Sequence, residues 1–167
     1  MNNEDIESHV MLDTETLGLD YASDITSIAV IRFDPYNQDA RRATILNCRT
    51  PHDGRIPPDP TTVAWRRQHE VDEHEAGLEL FSWNLISDIL RERLDPYTYV
   101  WALHPEFDLP RLSHYIGQPW NHKLVRDVAT CMWLAEVEPH RNAAHIAFDD
   151  CLDQIDIVQE AFSVLYK

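Results

Sequence analysis

Apolar residues follow two rhythms along this chain. Up to about residue 49 they cluster in short β-branched runs: HVMLD (9–13), DITSIAVIRF (24–33) and RATILNCR (42–49). Such runs read as strands, and their close succession predicts an antiparallel meander. From residue 59 the spacing changes to threes and fours. DPTTVAWRRQ (59–68) opens with Asp59 in the N-cap place and Pro60 at the first helical position, a helix start. LELFSWNLISDILRER (78–93) is an amphipathic helix whose expected buried face is Leu78, Phe81, Leu85 and Ile89. YTYVWAL (97–103) predicts a fourth strand, FDLPRLSHYI a short helix broken by Pro110, and KLVRD (123–127) a short fifth strand. The helix VATCMWLAEV (128–137) follows. HIAFDDCLDQIDIVQEAFSVLY (145–166) is a long helix expected to bury Ile155, Val158, Phe162 and Leu165. The prolines and glycine of TPHDGRIPPDP (50–60) predict an irregular loop. Strands first, then strands alternating with helices, predict a mixed α/β sheet covered by helices, one domain over 1–167.

Composition narrows the class. The 167 residues are 44% hydrophobic and 26% charged, as in ordinary globular domains. No apolar run approaches a membrane span, so no membrane partner is expected. The opening MNNEDIESH is acidic and polar, unlike a signal or transit peptide. Cys48, Cys131 and Cys151 are too few and scattered for a disulfide framework or a zinc site. A reduced, cytoplasmic setting is the resulting expectation. The formal net charge of −15 argues against holding long nucleic acid by blanket phosphate neutralisation. It leaves room for an enzyme that grips a few nucleotides through bound cations.

The candidate chemistry lies in acids at element ends. Asp13 and Glu15 are two apart at the end of the first strand, so they share a face and repel unless something positive lies between them. Asp108 follows the fourth strand, near a helix start. His145, Asp149 and Asp150 open the last helix. Singly, each has a plain reading: a solvated pair, an N-cap, or a surface pair one turn apart.

Together, in this order, the three segments resemble the DEDDh superfamily of 3′–5′ exonucleases. DTETLGL carries Asp-x-Glu, EFD carries the aromatic-Asp pair Phe107 and Asp108, and His145, Ala147 and Asp150 form His-x-Ala-x-x-Asp. The likeness runs from residue 10 to about 155. It is nearest to small phage and prophage 3′–5′ exonucleases, akin to an exoribonuclease group and to exonuclease-VIII-like proteins. Two further patterns carry this narrower likeness: a tryptophan-bearing helix, TTVAWRRQHEVDEHEA, and Arg126-Asp127-Val128 before the penultimate helix.

The resemblance implies a ribonuclease H-like five-stranded sheet, three strands antiparallel and then two parallel, flanked by helices. It also implies hydrolysis at the 3′ end of single-stranded DNA or RNA, releasing nucleoside 5′-monophosphates. Two Mg²⁺ or Mn²⁺ ions, about 3.5–4 Å apart, serve such chemistry, and hard cations favour carboxylate oxygens. Asp13 would bridge both ions, Glu15 and Asp150 would complete the first, and Asp108 would hold the second. His145 would take the proton of the attacking water, its ordinary pKa near 6.5 suiting that role. Gly18 would turn the chain so that substrate can approach.

Substrate contacts are expected from Thr14, Thr16, Leu19, Trp65, His104 and Phe107. His104 stands where many members have Asn, which puts that contact in doubt and leaves the chemistry intact. Leu19 reads either as a wedge beside the terminal base or as core. Trp65 reads as a stacking partner or as core. Arg66 and Arg67 read as phosphate contacts or as a solvated helix face, and Asp127 as a support of the metal site or as an N-cap. HEVDEH mimics a zinc-protease motif, but His69 and His74 are five apart and diverge on a helix. A homodimer is left open. Two alternatives remain: a catalytically silent nucleic-acid or protein-interaction module of the same fold, and an oligoribonuclease-like enzyme acting on very short RNA.

Overall fold

The computed structural model describes residues 8–52, 54, 56–139 and 145–166. Its sheet has the strand order β3-β2-β1-β4-β5. The strands are β1 (His9–Thr16), β2 (Ile25–Phe33), β3 (Ala43–Arg49), β4 (Tyr99–Ala102) and β5 (Val125–Asp127). β1, β2 and β3 pair antiparallel, whereas β4 runs parallel to β1 and β5 parallel to β4. This is the mixed sheet that the resemblance implies.

β1 is the central strand, and β1 and β2 are apolar on both faces because both faces are covered. Val10 and Leu12 of β1 and Ile28 and Val30 of β2 join one core, with Ile86, Leu90, Leu109 and Leu112 from the helices. The alternate residues Met11, Ala29 and Ile31 join a second core with Val128, Cys131, Ile155 and Val158. Asp13 and Glu15 share the parity of Met11. They continue the face that the last helix covers.

The helices are α1 (Pro60–Gln68), α2 (Val71–Glu75), α3 (Trp83–Arg93), α4 (Pro105–Ile116), α5 (Val128–Ala135) and α6 (Ala147–Leu165), with a 3-10 turn at His122–Leu124. Asp59 caps α1 by accepting from the Thr62 amide, and Pro60 sits in its first turn, as expected. Asp127 caps α5 through the amides of Ala129 and Thr130.

Several expectations need correction. α3 starts at Trp83 behind a Ser82 cap, because the preceding Leu80 is bridged to Arg49 beside the sheet. It buries Ile86 and Leu90, while Leu85 is 42% exposed. Leu85-Ile86 and Ile89-Leu90 offer two adjacent apolar stripes, and packing buries Ile86 and Leu90 fully while the expected Phe81 and Ile89 pack partly against the same core. α4 runs unbroken through Pro110. That proline forfeits only the bond to the Glu106 carbonyl, and its own carbonyl accepts from the Tyr21 hydroxyl at 3.2 Å. The tryptophan-bearing helix ends at Gln68, and Glu70, with φ 56°, separates it from α2. Leu165 is exposed at the end of α6. His145 lies before α6 rather than within it. In the loop 50–60, positions 53 and 55 lie outside the described residues, and the described ones before Pro60 form no helix or strand.

Candidate active site

Three elements bring the acids together. The end of β1 supplies Asp13 and Glu15, the first turns of α4 supply Asp108, and the first turn of α6 supplies Asp150. Asp13, Glu15 and Asp150 each offer a carboxylate oxygen, and these atoms all lie within 4.8 Å of one another. Asp108 arrives from the other side of the strand and is buried, where the Thr14 hydroxyl donates to its Oδ1. Parity explains this division: Thr14 points to the α4 side and its neighbours Asp13 and Glu15 to the α6 side. The β1–β2 register slips between Glu15 and Thr16, so the ladder is irregular just beyond the acids.

Crowded carboxylates in a poorly hydrated place resist ionisation. Burial, then Asp108, Glu15 and Asp150, raise the Asp13 carboxyl well above its usual range. Burial, followed by Asp150, pushes Glu15 up to about 9. Burial pushes Asp108 up to about 7, against the opposing Thr14 hydrogen bond and Arg111. Such a donor set, all hard oxygen, fits a divalent cation.

The histidine stands beside this cluster. His145 has φ 53°, a left-handed conformation. Its ring meets Trp65 edge-on at 4.3 Å and His69 at 5.3 Å between centroids. His69 stacks on Trp65 at 4.4 Å and bonds through Nδ1 to the Trp65 carbonyl at 2.8 Å. Burial, then His69, lowers the His145 pKa below its usual value.

An open cleft of about 1580 Å³ is lined by Asp13, Glu15, Asp108, Asp150 and His145. Thr14, Leu19, His104 and Phe107 also line it. Leu19 is 80% exposed, which removes the core reading. Thr16 instead turns its hydroxyl to the Gly18 carbonyl at 2.8 Å. Trp65 packs against the histidines and is not part of the cleft lining. Gly18 packs against its own loop: a Cβ there would meet Ser23 Oγ at 2.6 Å and Asp59 Cβ at 3.2 Å. Three of the four non-glycine residues with positive φ among the described residues, His104, Glu136 and His145, line the cleft. Such conformations tend to collect at functional sites.

Arg66 matches neither expectation held for it. It is 1% exposed, with its guanidinium on Glu75 at 2.6 Å, Asp72 at 2.8 Å and Glu15 at 4.0 Å. Thr26 and Ser27 complete the Glu75 shell at 2.9 and 2.6 Å. Arg66 therefore fastens α1 and α2 beneath the end of β1, whereas Arg67 is exposed. Removing one partner of a buried pair strands the other charge. Arg66→Met should cost about 3–5 kcal/mol in denaturant unfolding, and adding Glu75→Gln should recover most of that loss.

Three neighbouring residues were given no place in the site by the sequence reading. Gln154 donates to Asp13 Oδ1 at 2.9 Å and accepts from the Leu103 amide at 3.2 Å. It thereby ties α6 to the turn after β4. Arg111 holds the Leu19 and Asp20 carbonyls and covers the Phe107 ring at 3.5 Å. His69 sits four residues after Trp65. The signal was helical spacing: Gln154 follows Asp150 by four and Arg111 follows Asp108 by three, both neighbours on a helix face.

The same fold recurs in known proteins. Crystal structures of E. coli exonuclease I with a dT13 and a dA16 oligonucleotide superpose with a TM-score of 0.69 each, at 13% and 14% identity. They cover 95% and 96% of this chain, and 41% and 42% of theirs. Exonuclease I from Methylocaldum szegediense gives 0.68 at 16% identity, over 96% of this chain and 41% of that one. The chain thus spans about two fifths of the exonuclease I proteins it matches, and at such identities the likeness establishes the ribonuclease H-like exonuclease fold. No curated protein matches the sequence. A family model does, over residues 8–162, and it describes the Rv2179c-like 3′–5′ exoribonuclease domain. With three DEDDh motifs in order and a family match over nearly its whole length, the chain belongs to the Rv2179c-like 3′–5′ exoribonuclease domain family.

Proposed function

We propose that this protein is a metal-dependent 3′–5′ exonuclease that hydrolyses single-stranded nucleic acid to nucleoside 5′-monophosphates. The observation that carries this reading is the meeting of Asp13, Glu15 and Asp150 within 4.8 Å, in one cleft with Asp108 and His145. The family favours RNA as substrate. The exonuclease I relatives bind DNA oligonucleotides, so both belong in the test.

Asp13, Glu15, Asp150 and Asp108 would hold two divalent ions, Mg²⁺ or Mn²⁺. When bound, the ions supply charge stabilisation for the phosphorane-like transition state and favour hydroxide near neutral pH. The chain does the rest. His145, whose lowered pKa favours the neutral form, accepts the proton of the attacking water. Trp65 and His69 fix its ring. Gln154 orients Asp13, and Thr14 orients Asp108. Leu19, held in place by Arg111 through its carbonyl, stands at the cleft wall where a terminal base would lie.

A digestion panel tests this: 3′- and 5′-labelled single-stranded RNA, single-stranded DNA and duplexes, each with Mg²⁺, Mn²⁺ or EDTA. Stepwise loss of 5′-monophosphates from the 3′ end, absent in EDTA, is expected. Endonucleolytic cuts, or full activity in EDTA, would reject the reading. A preference confined to the shortest RNAs would identify the oligoribonuclease-like alternative.

The third motif allows a sharper check. Asp150 belongs to the acid cluster and the cleft lining, and its neighbour Asp149 to neither. A helix turns about 100° per residue, so only one of the two faces the site. Asp150→Asn should remove nearly all activity, while Asp149→Asn, outside the cluster and the lining, should stay within a modest factor of wild type. Steady-state rates on a labelled oligonucleotide distinguish the two, and the reverse order would mean a shifted register.

A further inference from the structure

The acid cluster leaves unexplained how the cleft holds a strand. Among the described residues its lining carries eight carboxylates and one arginine. That arginine, Arg111, is buried, with its guanidinium engaged by the Leu19, Asp20 and Phe107 carbonyls and the Phe107 ring. A polyanion entering here meets carboxylates and no free arginine or lysine in the described lining, so gripping by phosphate neutralisation has little to work with. Beyond the acids, the described lining offers mostly apolar surface, Leu103, Met132, Trp133, Leu134 and Val137, with the polar His104 and Tyr21 among it.

Met132, Trp133 and Leu134 belong to α5. Val128, Cys131 and Ala135 face the core, while Trp133 is 77% and Leu134 57% exposed. Both line the same cleft as Asp150 and His145. Trp133 and Leu134 together form an exposed apolar patch within the cleft lining, which is the informative kind of surface feature, and every nucleobase has a face that stacks on an aromatic ring.

We infer that Trp133 is a stacking platform for a base lying 5′ of the bond to be cut, and that the strand is held mainly through its bases. The inference rests on the exonuclease reading and deepens it. It commits α5 to nucleic acid because Trp133 shares the lining of the cleft that holds the acids, through which a strand must pass to reach them.

The test uses the full chain at pH 8 with saturating Mn²⁺ and single-stranded oligonucleotides of about six nucleotides. One set is complete, and the other is abasic at every position 5′ of the terminal nucleotide. For wild type, removing those bases should raise KM by about tenfold or more. Trp133→Ala should raise KM on the complete strand by a similar factor with kcat nearly unchanged. Base removal should then add clearly less than it does in wild type, because both changes delete the Trp133 contact. Trp133→Phe should recover most of the loss. Going from 50 to 200 mM salt should raise wild-type KM by less than about threefold, the cost of one phosphate contact on a single strand.

The inference is overturned if Trp133→Ala leaves KM unchanged, if its penalty and that of base removal multiply, or if KM rises steeply with salt. Multiplying penalties together with a dimer-to-monomer change in sedimentation would assign this face to a second copy of the chain instead. Failure of the exonuclease reading looks different: no oligonucleotide is hydrolysed, or hydrolysis survives Asp13→Asn.

Discussion

Asp13→Asn should fold normally and lose about 10³-fold or more in hydrolysis, the several kcal/mol that metal-assisted charge stabilisation supplies. The same substitution should stabilise the metal-free protein. Asp13, Glu15 and Asp108 all titrate higher in the folded chain than an ordinary carboxyl does, Glu15 at about 9 and Asp108 at about 7. The folded state therefore binds more protons than the unfolded state once pH exceeds about 4, the unfolded carboxyl value. Stability contributed by these protonated groups is fully present below that pH. It is lost as pH rises, through about 7 for Asp108 and about 9 for Glu15. The Tm of the metal-free protein should fall over this window, and less steeply in Asp13→Asn. Bound divalent cation requires ionised ligands, so its Tm increment should grow with pH and its binding should release protons. Thermal scans with and without Mn²⁺ from pH 5 to 9 check all of this. A pH-independent metal increment would remove these acids as the ligands.

His145→Ala should lower kcat by about 10²–10⁴, the usual worth of general-base assistance, with metal binding nearly unchanged. Acidic neighbours alone would raise an imidazole pKa. Here burial and His69 lower it, and bound cations would push the same way. The acidic limb of the wild-type rate profile should therefore lie below pH 6.5 and be missing from His145→Ala, whose residual rate should follow hydroxide. Removing His69 deletes one source of that depression, so His69→Ala should move the limb upward. Metal titration of His145→Ala supplies the control: loss of binding there, or an unchanged limb, would assign the base to another residue.

Much of the fold was legible because its elements are locally determined. β1 and β2 are apolar runs of strand length, and Asp59-Pro60 is a helix start that the structure keeps. The misreadings share a cause. α3 carries paired apolar residues, and a 3.6-residue period cannot choose between faces 100° apart. Pro110 was read as a break, yet in α4 it forfeits a single hydrogen bond, which the packing of Leu109, Leu112 and Ile116 tolerates. Arg66 looked like a solvated helix cation because its partners Glu75 and Glu15 come from other segments. Gly18 was read as a turn for substrate, and a constraint absent from that reading is the approach of Ser23 and Asp59.

The sequence by itself singled out the residues proposed to carry the chemistry. Period-two alternation puts Asp13 and Glu15 on one face of a strand, and the spacing from His145 to Asp150 sets a histidine and an acid at the mouth of a helix. Both follow from local sterics and burial. Whether these acids meet was decided only by tertiary structure. β4 pairs beside β1, and its parallel register brings Asp108 against Thr14. α6 covers the face of β1 that bears Asp13, so that Asp150 and Gln154 close over it. The neighbours of the site, Arg66 below Glu15 and Trp65 with His69 around His145, also depend on segments far apart in the chain. Pairing across such separations is set by sheet order and by which helix face finds a complementary surface, and neither leaves a mark in any local window of sequence.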